Sequence, residues 1–382
     1  MDFAHLALVC LVAILGPALS LSKVVRVPVV VGELVIGFVL GATGFGILRS
    51  EDPVFSFLAE IGFVLVMFVA GSAVPIEGIV ACAKSGRPLV RALLVGVLAV
   101  PMGIGLAHVI GSSHGALYAV LIASSSASIV LPMLEGVTNS GRSLTEMIPQ
   151  IAVADAACIV LLPLVADRAN LGRSLLGTGL VLGGGLVAFV LLDRLEKTGA
   201  QRAVHDVSGE RGLALELRFL LTAVFALAAL AEATGISTML AGFVLGVVVS
   251  AVGQPRRVAK QFFALTEGFF GPIFFVWIGA RLDLRALLVH PEAIIWGVGL
   301  AAAALLAHGA MALTGQRLAL AATTAAQMGV PIAAVAMLLR SGTALPGESA
   351  AILLGAVLTI AATALLSGPV HRIAEDEASA LA

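Results

Sequence analysis

The chain reads as a succession of apolar runs, each close to 20 residues long, separated by short polar punctuation. The runs fall near 3–22, 27–48, 53–73, 89–110, 114–138, 144–167, 173–193, 213–233, 236–253, 262–280, 291–314, 318–339 and 347–369. A helix rises about 1.5 Å per residue, so about 20 apolar residues cross the hydrocarbon core of a bilayer. The pattern predicts an all-α polytopic membrane protein with about 13 transmembrane helices. An odd number of spans places the two termini on opposite faces.

Composition agrees. Of 382 residues, 60% are hydrophobic and only 12% are charged, whereas soluble domains carry about 25% charged residues. That excludes a string of soluble domains. A net charge of -1 gives no basic surface for nucleic acid. Cys10, Cys82 and Cys158 fit neither a disulfide framework nor a metal-ligand spacing. The start, MDFAHLALVCLVAILG, lacks a basic leader and is read as the first span rather than a cleaved signal peptide.

Lysine and arginine set the direction. Arg49, Arg168, Arg173, Arg281, Arg285 and Arg340 fall on one side, and the other sixteen of the 22 basic residues fall on the opposite side. The richer side is expected to be cytoplasmic, with the N-terminus outside and the C-terminus inside. The longest polar segment, 193–212, is a cytoplasmic linker between a first membrane half (1–192) and a second (213–370). Residues 371–382 form a short, acidic cytoplasmic tail, and no soluble nucleotide-binding domain is expected after the last span.

The halves resemble each other. Gly37-Phe38-Val39-Leu40-Gly41 recurs as Gly242-Phe243-Val244-Leu245-Gly246, and Glu60 with its downstream Phe-Val-Ala-Gly corresponds to Glu267 with Phe-Val-Trp-Ile-Gly. The offset stays at about 205–208 residues. Seven spans separate the partners, so the second copy is inserted upside down. Inverted repeats are typical of secondary transporters, whose site lies where the copies meet at mid-membrane.

Charge at membrane depth is costly, so such residues are functional candidates. Asp155 lies halfway along the sixth run with no basic residue within ten positions. One carboxylate there suits a site that H⁺ and a metal cation occupy in turn. His308, near the middle of the eleventh run, is a candidate pH-responsive partner for it. Two runs carry helix-breaking chemistry. The fifth holds Ser124, Ser125, Ser126 and Ser128, followed by Pro132; the twelfth holds Gln327, Gly329 and Pro331. Proline removes a backbone donor, and freed carbonyls with hydroxyls are hard oxygen ligands for alkali cations. Glu33, Glu60, Glu232 and Glu267 are assigned structural roles, while Glu146 is placed at a cytoplasmic entry funnel. No nucleophile–base pair, cofactor motif or resident metal set converges, so no enzyme activity and no cofactor are expected. The partners expected are membrane lipid and the transported ions, with no nucleic acid.

With these residues in view, the chain resembles the bacterial monovalent cation:proton antiporters, including the Kef-type branch and the sodium–proton exchangers. GELVIGFVLGATGFGIL is similar to their GELLAGILLGP-type signature, and LAEIGFVLVMFVAG, SSSASIVLPMLEG, FFVWIGARLDL and AQMGVPIAAVAML resemble further stretches in the same order. The resemblance implies a homodimer in the bacterial inner membrane, with a panel domain and a core that carries the ion by an elevator-like motion. It implies that the fifth and twelfth spans are crossed, discontinuous helices and that Asp155 is the essential carboxylate. Departures are informative. Ala154 replaces the first of two adjacent aspartates, His308 replaces a common lysine, Ala127 follows Ser125-Ser126 where threonine is usual, and Val330-Pro331 stands where a glutamate is found. A single carboxylate and no fixed lysine imply electroneutral exchange of Na⁺ or K⁺ for H⁺. A carrier of an organic solute with the same fold, and a membrane scaffold or sensor, are the alternatives.

Overall fold

The computed structural model describes residues 2–20, 29–41, 44–74, 76, 86–127, 129–130, 142–166, 171–199, 213–253, 256–281 and 289–381. Ser128, Pro132 and most of the 193–212 linker lie outside them. The chain forms helices α1 (Phe3–Ala13), α2 (Leu15–Ser20), α3 (Val29–Leu40), α4 (Pro53–Ser72), α5 (Arg87–Ile110), α6 (Gly115–Ala123), α7 (Arg142–Ala166) and α8 (Leu171–Lys197). The second half adds α9 (Leu215–Thr234), α10 (Thr238–Val252), α11 (Arg256–Leu265), α12 (Gly271–Arg281), α13 (Glu292–Gly309), α14 (Leu318–Thr323), α15 (Gly329–Ser341) and α16 (Glu348–Leu381). A π turn, Thr266–Phe270, joins α11 to α12, and a 3₁₀ turn, Ala310–Thr314, extends α13.

Local chemistry sets several helix ends. Asp52 caps α4, its Oδ1 accepting from Val54 N (2.9 Å) and Phe55 N (3.1 Å), with Pro53 in the first turn. Proline there costs nothing, because that N–H has no helical partner. Gly111, at φ +76°, ends α5 and lets Ser112 N reach Ala107 O at 2.9 Å.

Among the described residues, eight helices are long and apolar enough to cross a membrane. Thr238–Val252 and Gly329–Leu339 are apolar but shorter. The runs near 114–138 and 318–339 are not continuous helices. Their first halves end at Ala123 and Thr323, and irregular backbone follows. Pro331 sits in the first turn of α15, so it marks where the second half restarts rather than kinking a continuous helix. The acidic tail continues α16 as helix to Leu381. There Glu377 accepts from Ser143 N at 3.1 Å and from the Ser143 hydroxyl, capping the first turn of α7.

The packing cuts across the sequence halves. The second span of each half packs on the third span of the other: α3 on α12, and α10 on α4. Glycine makes both crossings close. A Cβ on Gly37 would lie 2.1 Å from Val276 O, and one on Gly246 would lie 2.2 Å from Phe68 O. The glycines aligned by the repeat therefore serve equivalent contacts in the two copies, as small residues do where membrane helices approach closely. A second group gathers α5, α6, α7, α13, α14, α15 and α16. Met67 of α4 touches Gly329 of α15 at the seam between the groups.

Substituting Gly246→Ala should destabilise the protein by about 2 kcal/mol, in the range for overpacking, and lower its thermal unfolding midpoint in detergent. Gly183→Ala on α8, where nothing lies within 4 Å of the added Cβ, should leave that midpoint unchanged.

Candidate functional site

The two interrupted runs meet. Ser124, Ser125 and Ser126 lie in non-helical backbone after α6, and residues 324–328 bridge α14 to α15. Ser125 Oγ donates to Thr324 O at 2.6 Å, and Ser124 Oγ lies 2.6 Å from Gln327 Oε1. Ser124, Ser125, Ser126, Thr323, Thr324 and Gln327 are all buried. The crossing is thus stitched by side chains from one break to polar groups of the other. This arrangement answers a physical demand: in lipid, irregular backbone survives only where protein satisfies its donors and acceptors.

His308 joins the same network from α13. Its Nδ1 lies 2.7 Å from Thr324 Oγ1, and the Thr324 hydroxyl lies 2.7 Å from Ala321 O. If Thr324 donates to Ala321, its oxygen is left to accept from His308, which puts the proton on Nδ1. The imidazole is 1% exposed. No ion pair joins His308 to Asp155 among the described residues; the histidine braces the α14 side of the crossing.

Asp155 stands near the middle of α7 and is 7% exposed. Its Oδ2 receives one long bond, 3.5 Å, from Ala127 N, the first helical residue after the serine break. The carboxylate therefore faces the crossing from a third helix. Gln327 lies within the second break, and Gly329 and Pro331 open α15. Ser125 and His308 thus meet at Thr324, Gln327 meets Ser124, and Asp155 reaches the first break through Ala127, while Gly329 and Pro331 follow Gln327 in the chain.

Glu146 is not an open funnel residue. Arg91 Nη1 holds its Oε2 at 2.8 Å, Arg87 approaches its Oε1 at 3.7 Å, and Arg91 Nε donates to Thr314 Oγ1 at 3.0 Å. Buried Arg91 ties α5 to α7 and to the 3₁₀ turn after α13.

Thr324 is the residue that reading the sequence missed. It accepts from Ser125 through its carbonyl and contacts His308 through its hydroxyl. The signal was present as Ala-Thr-Thr-Ala-Ala-Gln just ahead of Gly329. Threonine is common in membrane helices, where it bonds back to its own backbone, as Thr323 does to Ala319 O at 2.7 Å. Only the fold distinguishes the two threonines.

Chemically, the site offers one buried carboxylate beside a break between half helices. Ionised and unpaired, such a group is costly; a proton or a bound cation removes the cost. Among the described residues, no three His, Cys, Asp or Glu side chains converge on a metal position. The oxygen donors suit a monovalent ion held transiently.

Comparison with known proteins places the chain in a family. The family model described as sodium/hydrogen exchanger, transmembrane, matches residues 10–372. The chain is 23% identical over 301 residues to the putative Na⁺/H⁺ antiporter YjbQ of Bacillus subtilis, covering 74% of this chain and 48% of that protein. It is 25% identical over 304 residues to the glutathione-regulated potassium-efflux system protein KefC of Escherichia coli, covering 76% of this chain and 48% of that protein. The chain thus spans about half the length of both relatives. The fold is similar to that of the sodium proton antiporter MjNhaP1 from Methanocaldococcus jannaschii, with a TM-score of 0.67 and 15% identity over 98% of each chain. Its long apolar helices and the extent of the family match make this chain a multi-pass membrane protein belonging to the sodium/hydrogen exchanger family.

Proposed function

We propose that the protein exchanges a monovalent cation, Na⁺ or K⁺, for H⁺ by alternating access, with Asp155 as the shared site. The observation that carries this reading is a buried carboxylate at a crossing of two broken helices, with no basic side chain paired to it among the described residues. One negative site that is neutral when occupied by either ion needs no second charge, so the exchange is one for one and electroneutral. The relatives named as Na⁺/H⁺ antiporter and potassium-efflux protein support the ion class and leave the choice of alkali ion to experiment.

Each element has a task. Asp155 binds the cation or the proton. The Ser125 and Ser126 hydroxyls and the carbonyls around the breaks replace part of the ion's hydration shell. Thr324 and His308 keep the two breaks in register. Gly329 and Pro331 let α15 restart with its first N–H groups directed at the crossing, a positive end that balances the carboxylate. The protein acts as a homodimer in the inner membrane, with the N-terminus outside and the C-terminus cytoplasmic.

In proteoliposomes with an internal pH dye, adding Na⁺ or K⁺ should dissipate an imposed proton gradient, and Asp155→Asn should abolish the response. A response unchanged in the variant would overturn the assignment of Asp155; one that appears only with an organic solute would overturn the cation reading. Competition between H⁺ and cation for a single carboxylate fixes a second outcome. While the carboxyl is mainly protonated, the apparent KM for the cation should fall up to about tenfold per unit rise in pH. A KM independent of pH across the acidic limb would exclude a shared site. Ser125→Ala leaves Thr324 O without its donor in a dry environment and should lower stability by about 1–3 kcal/mol, read as a drop in thermal midpoint.

A further inference from the structure

A second buried polar cluster lies away from the crossing, at the far end of α6. Glu348, the first residue of α16, is 1% exposed. Its Oε1 accepts from Tyr118 Oη at 2.5 Å, lies 2.7 Å from His114 Nδ1, and receives a longer contact from Ser112 Oγ at 3.5 Å. Its Oε2 accepts from Leu345 N at 2.7 Å, while its own N–H donates to Leu345 O at 3.0 Å. One carboxylate thus gathers the α5–α6 turn, the first turn of α6 and the loop that opens α16. Tyr118 is the chain's single tyrosine, and its hydroxyl is committed to this contact.

The position of the cluster matters because α6 is a half helix of nine residues. At about 1.5 Å per residue it spans only about 13 Å, and its other end delivers Ser124 and Ser125. Its long neighbour α5 approaches closely, since a Cβ on Gly103 would lie 2.4 Å from Ala119 N, and Leu117, Leu121 and Ile122 of α6 are buried in the surrounding helices. Polar attachments at the two ends of α6 add directional contacts to that packing: Ser124 and Ser125 at one end, and Glu348 at the other.

We infer that Glu348, with Tyr118 and His114, is a positioning group for the transport site: it fixes the axial placement of α6 and thereby the serine break that leads to Ala127, whose N–H reaches Asp155. The inference rests on the transport reading above. Glu348 touches no transported ion and acts through the helix. Among the described residues, charged or titratable groups nearby are His290 and Glu292 at the start of α13, and Arg281, which lines a cavity with Leu345, Gly347 and Ser349. His290 lies against Gly347 and is bonded to Glu292 Oε1 at 3.1 Å. The carboxylate itself is a specific requirement. Glutamine at 348 would present an NH₂ group to either Leu345 N–H or the Tyr118 hydroxyl, leaving one donor unmatched.

The test uses the full-length protein reconstituted in vesicles, with Na⁺ and K⁺ as probes and two readouts: the KM and maximal rate of the cation-driven pH change, and the shift in thermal midpoint on adding the cation, which needs no transport. Glu348→Gln should raise the cation KM about tenfold, as displaced positioning groups do, and should require correspondingly more cation for the same midpoint shift. Tyr118→Phe removes one hydroxyl while keeping the ring packed, and should raise KM severalfold. The double variant should be no worse than Glu348→Gln, because both act through one carboxylate. If Glu348→Gln does not fold, Tyr118→Phe carries the test alone. Variants that yield less folded protein but keep the wild-type KM and midpoint shift would reduce the cluster to a structural tie and overturn the inference. Wild-type protein that responds to neither cation in either readout would instead overturn the transport reading, and this inference with it.

Discussion

A bilayer core contains no water to hydrogen-bond an exposed peptide group, and this protein leaves two stretches of backbone non-helical in the middle of its apolar runs. Everything around the crossing follows from that conflict. Each break is tolerated because the other lies against it: Ser125 supplies a proton to Thr324 O, and Ser124 meets Gln327. Neither break could persist alone in lipid. The satisfaction is incomplete: among the described residues, His308 Nε2 and the Gln150 amide are buried without partners. Asp155 receives one long hydrogen bond, and an incompletely satisfied carboxylate in a dry site is what a transported cation or proton can exploit.

The rest of the architecture holds this crossing in place. Glycine contacts bring α3 onto α12 and α10 onto α4, forming a frame from both halves of the chain. The group that holds the site is closed by polar ties that differ in kind. Arg91 and Glu146 join α5 and α7 through an ion pair. Glu348 joins the α5–α6 turn to α16 through hydroxyl, imidazole and backbone donors. Glu377 caps α7, so the helix carrying Asp155 is held at its start by the last helix of the chain. The half helix α6 is thus braced at its ends as well as packed along its length.

Much of this was legible in the residues. Apolar runs of membrane-spanning length gave the class, and serines and glycine–proline within two runs marked the breaks. An isolated aspartate far from any basic residue marked a candidate site. The repeat was visible because close crossings demand glycine at fixed spacing, which leaves a literal trace in the sequence. The role of His308 was less legible. A histidine in an apolar helix signals a buried polar contact, but its partner is Thr324, which comes 16 residues later and packs across from another helix. Glu146 was misplaced for the same reason. A carboxylate near a helix end looks hydrated until the fold sets Arg91 beside it.

The sequence by itself determined the number and spacing of apolar segments, the points where a helix cannot continue, and the residue whose charge must be compensated. These are local properties, set by transfer free energy and backbone chemistry. Tertiary structure decided which segments meet. It paired second and third spans across the halves, brought the two breaks into contact, chose Thr324 over Thr323, and gathered Ser112, His114, Tyr118 and Leu345 on one carboxylate. Those choices depend on which donors and acceptors come within about 3 Å once water is excluded, a condition that no one-dimensional pattern contains.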